Sequence, residues 1–187
     1  MRRENKTLVI DGKSYTVGVD IVEETDKENF IEMYDLWKKL SQKLNDYGCR
    51  KVNFPELSEL IFCAFFDCWR TNNTAGLAEH TSFDCYNPKT EKRIQIKAAS
   101  AFNELTSFGP DSVWDEIYFM DFYNGGNYDG TFEVYLLPNE EIYNYPMNKN
   151  ETFKDQQAQK RRPRFSLRKL IKQLDLKPIG TYNLYDL

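Results

Sequence analysis

Apolar and polar positions change period several times along the 187-residue chain, and each change marks an element. "TLVIDGKSYTVGVDIV" alternates on both sides of Asp11-Gly12, a dipeptide suited to a tight turn, and predicts a hairpin. From about Asp26 to Tyr47 the apolar residues Phe30, Met33, Tyr34, Trp37, Leu40 and Leu44 recur at helical spacing, and Gly48 ends the run. A second helix is expected from "NFPELSEL", with Asn53 as N-cap, Pro55 in the first turn and Glu56 completing a capping box. That helix is apolar on nearly every side, so it is expected to be buried. Two strands follow around the "NPKT" turn, and "WDEIYFMDFY" and "GTFEVYLLP" predict two more, separated by the Gly-rich "NGGNYDG". "NEEIYNY" reads as a short helix; a mobile polar stretch then leads to a last helix in "RPRFSLRKLIKQLDL", with Ser166 as its cap. No repeat or linker interrupts the series. The expectation is one α/β domain (an α+β mixed sheet) over residues 1–187, with helices packed on a central sheet.

An apolar content of 41%, with 15% aromatics, is enough for a real core and argues against disorder. "LIFCAFFDCW" is too short for a bilayer and carries Asp67, and "MRRENKTLVIDG" lacks the apolar region of a signal peptide. A cytoplasmic protein with no membrane association is therefore expected. The four cysteines form no CxxC pair and His80 is the only histidine, which argues against structural zinc and weakens a Ser-His or Cys-His hydrolase reading. The net charge of −4 is unevenly spread: residues 149–177 hold ten Lys/Arg against three Asp/Glu, and the remainder holds 15 against 26. Such segregation suits a basic surface for a polyanion, although a solvated helix and loop has the same composition.

The stretch "SFDCYNPKTEKRIQIKAAS" carries the candidate chemistry. A turn centred between Lys89 and Thr90 sets Asp84 across from Gln95, Phe83 across from Ile96, Cys85 across from Ile94, and Ser82 across from Lys97. Alternation then assigns Phe83, Cys85, Ile94 and Ile96 to the core face and Ser82, Asp84, Gln95 and Lys97 to the other. Opposed Cβ atoms lie about 4.5–5.5 Å apart, so oxygens of Asp84 and Gln95 can converge on one ion, with Lys97 in reach of the same space. Mg²⁺ takes oxygen ligands and substrate phosphate, and a neighbouring lysine can orient water or steady charge on the phosphate. A half-exposed hairpin with a diagonal Asp–Lys pair would show the same pattern. Glu59, inside the buried helix, needs a partner, which a metal or a lysine would supply.

Glu59 in "SEL", Asp84 in "FD", and Gln95 and Lys97 in "QIK" follow one another in an order that resembles the PD-(D/E)xK nuclease superfamily, and within it the small type II restriction endonucleases. "SFGPDSVWDEIYFMDF" and "RRPRFSLRKLI" resemble segments that accompany this core, so the likeness covers roughly residues 53–175. Two positions depart from the motif: Phe83 stands where proline is usual, and Gln95 where glutamate is usual. An amide oxygen still ligates a hard cation, and Glu59 can make up the missing charge. The resemblance implies Mg²⁺-dependent hydrolysis of double-stranded DNA, leaving a 5′-phosphate and a 3′-hydroxyl, with no organic cofactor. Asp84 would be the central ligand, Gln95 a second oxygen, Glu59 a ligand to a second ion or its water, and Lys97 the group that positions the attacking water. His80, in the approach loop, is expected to be structural.

For DNA contact the resemblance favours Lys160, Arg161, Arg162 and Arg164, with Gln156, Gln157 and Gln159 beside them, and a second loop "RTNN" with Arg70, Asn72 and Asn73. Cutting both strands of a palindrome implies a homodimer; the likeness is to enzymes cutting short GC-rich interrupted palindromes such as GCNGC. Repair endonucleases and junction resolvases share the core, and Gln95 also fits a catalytically inactive DNA-binding protein. A protein-binding module with a solvated basic tail is the reading outside nucleic-acid chemistry.

Overall fold

The computed structural model describes residues 1–50, 52–73 and 83–187; Ser82 and His80 lie outside the described residues, as does the side chain of Asn73. The first hairpin forms as its pattern predicts. β1 (Arg2–Ile10) and β2 (Lys13–Ile21) pair antiparallel from Arg2↔Ile21 to Ile10↔Lys13. Asp11 and Gly12 take φ of 50° and 76°, the left-handed backbone that such a turn requires. α1 (Lys27–Asp46) follows and buries Phe30, Tyr34, Trp37 and Ser41. Met33 and Leu40, expected from their spacing to share that face, are 42% and 48% exposed.

α2 (Leu57–Phe66) starts later than expected. Asn53 does not cap it; Glu56 holds the N-cap position without a side-chain cap bond, and the N–H groups of Ser58 and Glu59 donate to the carbonyls of Pro55 and Glu56. Phe54 explains the delay, because its ring stacks on Phe122 at 4.1 Å and holds the chain just before Pro55 against the core, while Val52 and Asn53 stay exposed. Asp67, with φ 51°, ends the helix and turns the chain into β3 (Trp69–Asn73).

The remaining strands are β4 (Cys85–Asn87), β5 (Lys92–Ala99), β6 (Thr106–Ser107), β7 (Glu116–Asp121), β8 (Thr131–Leu137), β9 (Arg164–Phe165) and β10 (Gly180–Asn183). An eight-stranded sheet has the order β1-β2-β3-β4-β5-β7-β8-β10, and β6 pairs with β9 apart from it. Every neighbouring pair is antiparallel except β5–β7, which makes the sheet mixed as expected. α3 (Asn139–Tyr143), α4 (Phe153–Ala158) and α5 (Leu167–Gln173) complete the chain. α4 replaces the expected mobile polar stretch, and a reciprocal cap between Thr152 and Asp155 opens it.

α1 and α2 cover one face of the sheet over Ile94, Ile96, Met120, Phe122, Phe132 and Val134. α3, α4, α5 and the β6–β9 pair cover the other over Ile117, Phe119, Tyr135 and Leu137. Leu8, Ile10, Val17 and Val19 of the first hairpin form a third cluster with Phe83 and Tyr86. Among the described residues no helix is long and apolar enough to cross a membrane.

Candidate active site

The β4–β5 register is the one that the turn predicts: Cys85↔Ile94, Tyr86↔Arg93 and Asn87↔Lys92. The regular ladder stops there. The N–H of Asp84 donates to the Ile94 carbonyl at 3.0 Å, and the Asp84 carbonyl accepts from the Thr71 N–H at 3.0 Å, so this segment stays on β3 while leaving β5. A one-residue irregularity of this kind reverses the facing of whatever precedes it. Phe83 accordingly packs with Tyr86 and the β1–β2 cluster and does not join Cys85, Ile94 and Ile96, which corrects the simple alternation.

The same slip frees the N–H of Ile96, and the Asp84 carboxylate accepts it at 2.7 Å. Asp84 therefore fills a fork in the sheet, within reach of groups from both faces. The Gln95 amide N–H also donates to Asp84. Gln95 is 2% exposed, and its Oε1 has no hydrogen-bond partner among the described residues. Lys97, half-buried, lies with its ammonium 5.5 Å from the centre of the Phe108 ring and forms no ion pair among the described residues.

Glu59 approaches from α2, which lies directly on β4: Cys63 and Cys85 have their sulfurs 3.4 Å apart, and the Cys85 thiol points to the Glu59 carbonyl at 3.9 Å. Burial and the Asp84 charge push the Glu59 carboxyl up to about 7, against the pull of Arg70. Burial also raises the Asp84 carboxyl, opposed chiefly by the charge of Lys97 and then by the Ile96 N–H. A buried Asp84 carboxylate whose charge raises the neighbouring Glu59, beside an unused buried amide oxygen, gives a hard oxygen-donor set that fits a divalent cation such as Mg²⁺. Among the described residues no three His, Cys, Asp or Glu side chains gather around one point, so Gln95 is needed to complete the set.

"RTNN" is not a loop. It forms β3, and Asp20 of β2 stands opposite Arg70 in the ladder. Arg70 Nε donates to Glu59 Oε2 at 2.7 Å, while its Nη groups approach Glu56 at 3.4 Å and Asp20 at 3.7 Å. Asn72 donates to Asp20 at 2.6 Å. Asp20 is 1% exposed, so Arg70 and Asn72 are committed to carboxylates of their own chain. Arg70 holds Glu59 over the fork, a role that sequence spacing does not disclose because it depends on the pairing of β2 with β3. We expect Arg70→Ala to cost about 1–3 kcal/mol of stability by leaving buried carboxylate charge unmatched. Arg70→Lys should recover part of that loss, as urea midpoints would show; equal midpoints for all three proteins would refute the assignment.

The basic segment is partly neutralised by acids from elsewhere in the chain and by its own Glu151. Lys160 pairs with Asp111, Arg168 with Asp121, and Arg161 with Glu151 at 3.0 Å. Gln156 is buried and, like Gln159, donates to Glu151; Gln157 donates to the Gly109 carbonyl. Arg162 and Arg164 are exposed and have no ion-pair partner among the described residues. This segment lies close to the site, since the Phe108 N–H donates to the Pro163 carbonyl at 3.1 Å and Phe165 of β9 stacks on Phe108, the ring under Lys97.

Comparison with known proteins identifies the family. The Bsp6I restriction endonuclease family matches residues 22–173. The type II restriction enzyme Bsp6I of Bacillus sp. (strain RFL6) is 33% identical over 162 residues, 84% of this chain and 87% of that enzyme. No solved structure gives a significant match. The matched span contains Glu59, Asp84, Gln95 and Lys97, and by its extent the chain belongs to the Bsp6I restriction endonuclease family.

Proposed function

We propose that this chain is a type II restriction endonuclease that hydrolyses double-stranded DNA at a short GC-rich interrupted palindrome of the GCNGC kind, in a Mg²⁺-dependent reaction leaving 5′-phosphate and 3′-hydroxyl ends. The observation that carries the reading is the pairing of Asp84 with Gln95 at a fork in the sheet, with Glu59 close enough to feel the Asp84 charge and Lys97 close enough to act on Asp84, in a member of this family. Asp84 and Gln95 Oε1 would hold the cation, with Glu59 as the third oxygen donor. When bound, the cation supplies Lewis-acid polarisation of the scissile phosphate. Lys97 keeps a positive charge at the fork and donates hydrogen bonds to the attacking water or to a phosphate oxygen. Phe108 packs beneath its ammonium and limits where that charge can move. Arg162 and Arg164 offer free guanidinium groups to the DNA backbone or to guanine edges beside the cutting site. Residues 1–187 act as one endonuclease domain, with segment 149–177 contributing DNA contacts, and two copies act on the two strands.

Incubation of the purified protein with a long sequenced DNA, in Mg²⁺ or in EDTA, tests the reading. Discrete fragments in Mg²⁺ and intact DNA in EDTA are expected, and the fragment ends define the site. Nicking confined to damaged or branched DNA would replace this reading with a repair or resolvase activity. Tight binding without cleavage would make Gln95 the mark of an inactive DNA-binding protein.

A further inference from the structure

α1 carries a second apolar stripe that the fold does not use. The first stripe, Phe30, Tyr34 and Trp37, faces the core. Met33, Leu36, Leu40 and Tyr47 lie about 90° round the helix from it at about 100° per residue. They are 42%, 60%, 48% and 87% exposed, and half-buried Leu44 completes the row. Successive members of the row are three or four residues apart, as in the seam between paired helices. An apolar row of this length along an exposed helix marks a contact surface.

Charge along the same helix indicates what covers it. Glu28 and Glu32 border the row in the N-terminal half, and Lys39 and Lys43 border it in the C-terminal half. Lys27 pairs with Glu24 at 2.7 Å, but these four residues have no ion-pair partner among the described residues. The acid-then-base order suits the helix dipole, which does not account for exposed leucines. Parallel pairing of two such helices would set acid on acid and base on base. Antiparallel pairing about a two-fold axis near Lys38 sets Leu36 on Leu40 and Glu32 close to Lys43, each contact occurring twice. The surface is therefore self-complementary, which is the condition for an isologous dimer.

We propose that α1 is the surface on which two copies of this chain associate, antiparallel about a two-fold axis. The inference rests on the restriction-enzyme reading in one respect: two copies supply one cutting site for each strand of a palindrome. Light scattering behind size exclusion, at micromolar protein and without DNA, is expected to give about twice the 22.1 kDa chain mass. Leu36→Glu with Leu40→Glu should weaken association at least ~100-fold and leave the circular dichroism unchanged. Glu32→Lys should weaken it about tenfold, and adding Lys43→Glu to that variant should restore it. The charge pair decides the matter if the leucine variant misfolds. A wild-type monomer throughout, a dimer indifferent to these changes, or a failed restoration would overturn the proposal. Because no DNA is present, a dimer that fails to cut counts against the nuclease reading alone, and a monomer that cuts counts against this inference alone.

Discussion

Lys97→Ala is expected to lower the cleavage rate by roughly 10²- to 10⁴-fold, the range for losing a positioned proton-transfer or charge-stabilising group. DNA affinity should stay within about threefold of wild type. The two effects separate because Lys97 is half-buried beside the fork, with its ammonium over Phe108, whereas the phosphate contacts are proposed to come from exposed Arg162 and Arg164. Lys97 is also the charge that does most to favour the ionised form of buried Asp84. Lys97→Arg should not restore activity, since a planar guanidinium cannot replace a compact ammonium in this space. Asp84→Ala is a harsher change. It removes the proposed central oxygen donor and leaves the Ile96 N–H without its acceptor, so it should also cost about 1–3 kcal/mol of stability. Single-turnover cleavage in Mg²⁺, together with DNA binding in Ca²⁺, separates these contributions. Cleavage by Lys97→Ala at the wild-type rate would remove Lys97 from the proposed mechanism.

The features legible in the sequence are those that neighbouring residues decide. The "NPKT" turn sets the β4–β5 register, and Asp11-Gly12 sets that of the first hairpin, because a short turn leaves the flanking strands little choice. Glu59, Asp84, Gln95 and Lys97 stand out as a set only through their resemblance to a nuclease motif, whereas the fold class was legible in the order of the predicted strands and helices. The facing of Phe83 was not, since it turns on competition by the Thr71 N–H for the Asp84 carbonyl, a partner outside the hairpin. Arg70 looked like a loop cation for DNA because nothing near it in sequence shows that Asp20 stands opposite. The excess charge of segment 149–177 was visible, but Asp111 and Asp121, which neutralise part of it, lie far from it in sequence. β10 is a short edge strand whose pairing with β8 compensates for a weak local pattern.

Asp115→Asn is expected to be the most destabilising single polar change in the fold, at about 3 kcal/mol near neutral pH. The Asp115 carboxylate joins the parallel strands β5 and β7 where both begin: it accepts from Arg93 Nε at 3.0 Å, from Nη2 at 2.8 Å and from the Arg93 backbone N–H at 2.8 Å. The Arg93 side chain is 9% exposed, so loss of the counter-charge strands a guanidinium in the interior. Asp11 approaches it at 3.5 Å but is 64% exposed, which keeps the expected cost at the lower end of the range for a broken buried pair. Burial works against the charged carboxyl of Asp115, but the bonds and charge of Arg93 outweigh it and hold the group below its ordinary range. A carboxyl depressed in the folded state stabilises above its unfolded value of about 3.9, and that contribution is lost as pH falls through the lower folded value. Urea midpoints of wild type and Asp115→Asn should therefore converge in strong acid and separate above about pH 4. Adding Arg93→Met to Asp115→Asn should recover part of the loss, because the penalty lies in the stranded charge more than in the missing bonds. If the double variant is less stable than Asp115→Asn alone, the guanidinium stem rather than its pairing holds this junction together.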